Sequence, residues 1–178
     1  FLREVVGAVR ANADDSMAVG MRISADEKQH DGLTPALVLD ICMALDDDGV
    51  LDYFNVAAGS MSGLSGTIHV VPPMNYEGGY TAPLAAPIRA KLSKPIFVAG
   101  RINQPQIAEQ VLSTGQADMC GMTRAMIADP ELANKSAAGR LDDIRTCIGC
   151  NQACIGHFHL GYPISCIQHP ETGRELRF

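Results

Sequence analysis

The sequence predicts an α/β fold built on a parallel sheet. Apolar residues recur at helical spacing in some segments and form short continuous runs in others, and the two patterns alternate four times. No G-x-G-x-x-G follows any of the strand runs, which weighs against a dinucleotide-binding sheet. Two arrangements satisfy the alternation: part of a (β/α)₈ barrel, or a doubly wound sheet. A complete barrel takes about 250 residues. A chain of 178 residues whose last part is not barrel-like holds about half of one.

The elements follow in order. Leu2, Val5, Val6 and Val9 mark a first helix, and Ala18 to Ser24 (AVGMRIS) a buried strand. After a loop, Thr34-Pro35 sets an N-cap before a proline at the first helical position. That helix carries Leu37, Val38, Ile41 and Leu45 and ends before Gly49. Tyr53 to Ala57 (YFNVA) is the second strand, and Ala58 to Thr81 reads as a long loop without clear periodicity. A helix over Ala82 to Leu92 leads to the strand IFVA at Ile96 to Ala99. Asn103 and Pro105 open the next helix, which closes on Gly115, and Asp118 to Met122 is the fourth strand. A helix from about Pro130 to Ala138 stops at Gly139. Beyond Arg145 the alternation ceases. The expected division is 1–145 for the barrel portion and 146–178 for a cysteine-bearing segment.

Composition limits the function. With 47% apolar and 19% charged residues the chain is globular. Its net charge of -6 makes nucleic acid a poor partner. No apolar run reaches the roughly 18 residues needed to span a bilayer, so no membrane role is expected. The chain starts inside a helix and stops without a terminating signal, as a piece of something longer would. Four of its six cysteines crowd near the C-terminus, in a chain with apolar content enough for a core. Such clustering suits metal binding in a reducing, cytoplasmic setting better than a disulfide framework.

Three places carry chemistry. The strand IFVA runs into Gly100-Arg101, and the fourth strand, which contains Gly121, runs into Thr123-Arg124. Loops after the last two strands of such barrels form a phosphate site from small residues, backbone N–H groups and a cation. Arg22 lies within an apolar strand, where a charge needs a ligand or a carboxylate such as Asp26 or Glu27. In the long loop, His69, Tyr76, Glu77 and Tyr80 are the groups able to move protons or shape a substrate pocket, although for each of them singly plain loop surface is the commoner role.

The third place is Cys147-x2-Cys150-x3-Cys154-x11-Cys166. Three close thiols and one distant thiol suit the Cys₄ ligation of a [4Fe–4S] cluster. Zinc would prefer paired C-x2-C knuckles, though His157, His159 and His169 lie near enough in sequence to keep it open.

Taken together, Gly100-Arg101-Ile102-Asn103, the run from Gly121 to Pro130 (GMTRAMIADP), Gly139-Arg140, Asp143-Ile144-Arg145 and CIGCNQAC resemble one family closely. The chain resembles the flavin and iron–sulfur branch of the old yellow enzyme family. That branch includes 2,4-dienoyl-CoA reductase, enoate reductases, and trimethylamine, dimethylamine and histamine dehydrogenases. The resemblance implies strands five to eight of an FMN-binding TIM (β/α)₈ barrel followed by the cluster segment. It places an FMN-contacting arginine at Arg22 and the FMN phosphate at Gly100, Arg101, Gly121, Thr123 and Arg124. It assigns Cys147, Cys150, Cys154 and Cys166 to a [4Fe–4S] cluster. Thr123 stands where the family commonly has Ala. The cysteine spacing looks more like the dienoyl-CoA reductase pattern than that of trimethylamine dehydrogenase.

The family's histidine after strand six has no counterpart near Ser60 to Gly63, so His69 and Tyr76 are the available catalytic candidates. The implied activity is oxidoreduction of a small amine, by oxidative demethylation, or of an activated enoyl C=C bond. The implied electron partner is NAD(P)H or an electron-transfer flavoprotein, with FAD or NAD(P)H in a further domain and a homo-oligomer compatible with the family. The rival expectation is a zinc-stabilised, redox-inert module on a phosphate-binding barrel.

Overall fold

The computed structural model describes residues 1–177. Strands β1 (Gly20–Ser24), β2 (Tyr53–Ala57), β3 (Ile96–Ala99) and β4 (Met119–Gly121) form one parallel sheet in the order 1-2-3-4. Arg22 lies opposite Asn55, Asn55 opposite Phe97, and Ala99 opposite Gly121. Each crossover returns the chain to the next position along the same direction. A doubly wound sheet reverses direction at a switch point, and these four strands do not.

Helices α1 (Leu2–Asn12), α2 (Pro35–Asp47), α3 (Leu64–Val70), α4 (Ala82–Arg89) and α5 (Pro105–Ser113) alternate with the strands. The N-cap expected of α2 is present: Thr34 Oγ1 accepts from the Leu37 N–H at 3.5 Å, ahead of Pro35. Along β2 and β3 burial alternates. Phe54, Val56, Ile96 and Val98 are fully buried, whereas Tyr53, Asn55 and Phe97 between them are only partly so. The buried face packs on Val38, Cys42 and Leu45 of α2 and on Ala85 and Ile88 of α4. At about 1.5–3 kcal/mol for each large apolar side chain, this seam dominates the stability. The opposite face presents Arg22 and Met119 exposed.

Two helices lie where the sequence suggested loop or strand end. The stretch 58–81 contains α3, and α6 (Thr123–Ala128) begins directly after β4, ahead of α7 (Leu132–Ala137). A 3₁₀ turn at Leu141–Asp143 precedes the cysteine segment, which is irregular, with a π-helical turn at Gln152–Gly156 and a single turn α8 (His157–His159). Among the described residues no helix is long and apolar enough to cross a membrane.

Asp129, just after α6, ties that turn to α7 and to Arg145, directly ahead of the cysteine segment. It is 4% exposed, and its carboxylate takes Lys135 Nζ at 2.6 Å, the Arg145 N–H at 2.8 Å and the Glu131 N–H at 3.0 Å. Burial alone would raise its pKa, but Lys135 and the two amides together hold it below the ordinary carboxylate value. Its stabilising effect is therefore full above the unfolded value of about 4 and is lost as pH falls through the lower folded value. Asp129→Asn should cost on the order of 3 kcal/mol at neutral pH. Thermal unfolding across a pH series should show the gap to the wild-type protein closing toward acid. A gap that stays constant from neutral to acid pH would exclude a charged Asp129 as its source.

Candidate cofactor site

The loops following β3 and β4 meet the cysteine segment around a cavity of about 390 Å³, within the range of small-molecule sites. Arg22, Gly100, Arg101, Gly121, Thr123 and Arg124 all line it. The six positions singled out for a flavin come from three strands yet face one space.

Each is held for a local reason. Arg22 stays exposed on β1. The carboxylates that might have paired with it are engaged elsewhere, Asp26 with Lys28 at 2.7 Å and Glu27 with the Leu33 N–H at 2.8 Å. Gly100 has no room for a Cβ, because the buried Thr81 hydroxyl occupies that position. Its glycine is thus demanded from behind the cavity as well as from within it. Arg101 adopts a left-handed backbone with φ 51°, a strained conformation for a side-chain-bearing residue. Its Nε donates to the Tyr76 carbonyl and its Nη2 to the Met74 carbonyl at 3.1 Å. Nη1 is buried and has no partner among the described residues. The guanidinium therefore braces the 70s loop with two nitrogens and leaves the third unpartnered. Gly121 lies beside Ala99 on the neighbouring strand, a pair of small residues that leaves backbone accessible.

Arg124, on α6, donates from Nη1 to Asn151 Oδ1 at 2.7 Å. Burial lowers its pKa, the Cys147 and Cys154 thiols oppose that shift, and Arg101 adds to it. A guanidinium remains charged through any such shift. This one is a partly desolvated cation facing the cavity.

Cys147, Cys150, Cys154 and Cys166 line a second, narrower cavity. The two cavities share a wall, made of Arg124, Ile127, Cys147 and Cys154. Gly149, at φ +71°, lets the chain turn so that its N–H approaches Cys147 Sγ at 3.4 Å. A Cβ at Gly149 would fall 2.6 Å from Arg101 Nη1. Asn103 Nδ2 donates to the Cys147 carbonyl at 2.6 Å, tying the loop after β3 to the first cysteine. Burial pushes the Cys147 thiol up, the Gly149 N–H and Arg124 pull it down, and Cys154 and Cys166 push it up again. All six cysteines are free. None of His157, His159 and His169 lines the cavity of the cysteines. His157 Nδ1 bonds the Pro163 carbonyl at 3.0 Å and His169 Nδ1 the Ile127 carbonyl at 3.1 Å.

His69 and Tyr76 do not line either cavity; from that loop Val70, Val71 and Pro72 reach the larger one. His69 Nδ1 instead pairs with the Tyr80 hydroxyl at 2.6 Å, and the Tyr76 ring meets it edge-on at 5.4 Å between centroids. Burial and the nearby Lys28 lower the His69 pKa, while Asp26 raises it. The pair contributes to an aromatic cluster that fixes the loop. Asn103 and Asn151, which sequence reasoning passed over, bridge the sheet loops to the cysteine segment. An asparagine directly after Cys150, in a run needing tight turns, was the available signal for the second.

Residues 1–143 match the family of NADH:flavin oxidoreductases and NADH oxidases. The chain is 38% identical over 98% of its length to an N,N-dimethylglycine/sarcosine dehydrogenase of Chromohalobacter salexigens, covering 25% of that protein. It is 31% identical, over 98% of its length and 25% of the relative, to a multifunctional alkene reductase/demethylase of Caballeronia cordobensis. A 2-naphthoyl-CoA reductase structure superposes with a TM-score of 0.89 at 28% identity, over 99% of this chain and 26% of that one. The chain thus spans about a quarter of the length of these relatives. The match over most of the chain, together with the parallel sheet and its loop cavity, makes it a member of the NADH:flavin oxidoreductase / NADH oxidase family.

Proposed function

We propose that the chain is the flavin- and cluster-bearing part of an oxidoreductase acting on a small amine, by oxidative demethylation, or on an activated enoyl C=C bond. One observation carries this reading: two adjoining cavities, one lined by three arginines and three glycines, the other by four cysteines, with Arg124, Cys147 and Cys154 in the wall between them. When bound, FMN would supply two-electron exchange with substrate and a [4Fe–4S] cluster one-electron transfer to a carrier.

The residues fit those groups. Arg124 and the unpartnered Nη1 of Arg101 would hold the FMN phosphate beside the backbone of Gly100, Gly121 and Thr123. Arg22 would place positive charge near the flavin ring and favour its reduced form. Cys147, Cys150, Cys154 and Cys166 would hold the cluster, with the Gly149 N–H directed at Cys147 Sγ, a bond of the kind that tunes a cluster's potential. Among the described residues no three His, Cys, Asp or Glu side chains converge on a single-ion centre. The four thiols line one cavity, and three close cysteines with one distant one suit the Cys₄ ligation of a [4Fe–4S] cluster.

The half-exposed inner face of the sheet supports strands five to eight of a barrel, over residues 1–145, as our reading of the fold. Residues 146–178 would form the cluster segment leading to a further FAD- or NAD(P)H-binding domain. NAD(P)H or an electron-transfer flavoprotein would be the electron partner. Six cysteines without a disulfide among them agree with a cytoplasmic setting.

Anaerobically purified full-length protein should contain FMN, iron and acid-labile sulfide, the last two at about four per chain. Stoichiometric zinc without iron would sink the cluster. Bleaching of the flavin by secondary or tertiary amines, against reoxidation of an NAD(P)H-reduced flavin by an enoyl compound, separates the two substrate classes.

A further inference from the structure

The structure assigns Asn151 a positioning role, resting on the flavin–cluster reading: its side-chain amide joins the walls of the two cavities and holds Arg124 in place for the flavin phosphate. Asn151 lines the cysteine cavity, Val71 lines the larger one, and Arg124 belongs to both. The amide connects all three. Its Oδ1 accepts from Arg124 Nη1 at 2.7 Å and its Nδ2 donates to the Val71 carbonyl at 2.7 Å.

The partners fix the amide's orientation. A guanidinium can only donate and a carbonyl can only accept, so oxygen must face Arg124 and nitrogen must face Val71. Few side chains of this size offer one acceptor and one donor in that arrangement. An aspartate would keep Arg124 but turn a carboxylate oxygen on the Val71 carbonyl, and would cancel the arginine's charge. The backbone narrows the choice further. Asn151 sits at φ 56°, ψ 13°, in the left-handed region, which asparagine tolerates better than most residues. Its carbonyl accepts the Gly156 N–H at 2.8 Å, closing the π-helical turn that carries Cys154.

Asn151 touches neither the phosphate position nor, by its side chain, a thiol; it acts through Arg124 and the 70s loop. Because one amide serves both walls, order imposed on one side is felt on the other, and the effect is reciprocal.

The test uses full-length protein and five forms: wild type, Asn151→Gly, Asn151→Asp, Arg124→Ala and the double variant Arg124→Ala/Asn151→Gly. Glycine removes the amide while accepting the left-handed backbone, so the turn and its cysteines persist. FMN affinity of Asn151→Gly should fall about tenfold, the effect of losing a hydrogen bond to a charged group. Asn151→Asp should also weaken FMN, while iron and sulfide remain at wild-type levels in both. In the Arg124→Ala background the glycine substitution should change FMN affinity by less than about twofold, since Asn151 would have nothing left to position. Hydrogen exchange in residues 68–76 should quicken in Asn151→Gly.

Unchanged FMN affinity in Asn151→Gly, an equal effect in both backgrounds, or loss of iron from Asn151→Gly overturns the inference. Wild-type protein that binds no flavin overturns the flavin reading instead. Exchange in the 68–76 loop then decides the positioning role alone, unchanged exchange refuting it.

Discussion

Cys166→Ser should strip the full-length protein of iron and acid-labile sulfide, to under about a tenth of the wild-type content, while leaving FMN bound. Cys166 is the most telling of the four because eleven residues separate it from Cys154 in sequence, yet it lines the same cavity. Its approach is built by backbone bonds. The Tyr162 N–H donates to the His157 carbonyl at 2.9 Å, and the Ser165 N–H to the Ala153 carbonyl at 2.7 Å. These fold the arm back onto the turn that carries Cys154. A serine keeps that geometry but offers a hard oxygen whose proton is far more tightly held, where iron–sulfur chemistry wants a soft thiolate. Cys166 does not line the larger cavity, so flavin should stay.

Cys42 and Cys120 supply the contrast. Cys42 is fully buried on α2, where burial pushes its thiol up to about 11, and Cys120 directs its sulfur at the Ala108 carbonyl. Replacing either with Ala should cost about 1 kcal/mol of packing and no iron. Full iron and sulfide in Cys166→Ser, measured by metal analysis and the visible spectrum, would refute the four-thiol site.

How far these sites could be read in the sequence depends on what held each residue. The strands YFNVA and IFVA are apolar runs bounded by turns, and the structure keeps both at the expected residues. Thr34-Pro35 announced α2 through local chemistry alone. The six positions proposed for the flavin line one cavity because parallel strands carry them to the same side of the sheet. Helix α3 was hidden because LSGTIHV contains a glycine and three β-branched residues, which favour helix weakly. Tertiary contacts hold it instead: Gly59, at φ +82°, packs under it, and a Cβ on Gly66 would meet the Ser60 carbonyl at 2.8 Å. His69 and Tyr76 are candidates by residue type alone, and type does not set direction. His69 turns to Tyr80, so the loop meets the cavity with Val70, Val71 and Pro72. Arg101 shows the same limit from the other side. The cavity position was foreseeable, whereas the use of Nε and Nη2 to hold Tyr76 and Met74 depends on a loop 25 residues away in sequence.

Arg124→Ala should release FMN from the full-length protein, raising its dissociation constant by about 100-fold or more. Two charge-assisted bonds to a phosphate are worth about 1.5–3 kcal/mol each. The smaller end of that range already gives about 100-fold, and Arg124 is partly desolvated and already oriented by Asn151. Preorganisation means that little side-chain entropy is lost when phosphate arrives. Arg124→Lys should recover only part of the loss. A lysine restores the charge but lacks the planar fork that bonds Asn151 and a phosphate together. Arg101 cannot compensate, since two of its nitrogens are committed to the Tyr76 and Met74 carbonyls. The substitution also leaves Asn151 Oδ1 without its donor, so some loosening of the shared wall is expected. Fluorescence of flavin released on dilution reads the constant directly. Retention within about threefold of wild type would move the phosphate away from Arg124, because a loss that small is under 1 kcal/mol and within what an exposed charge contributes.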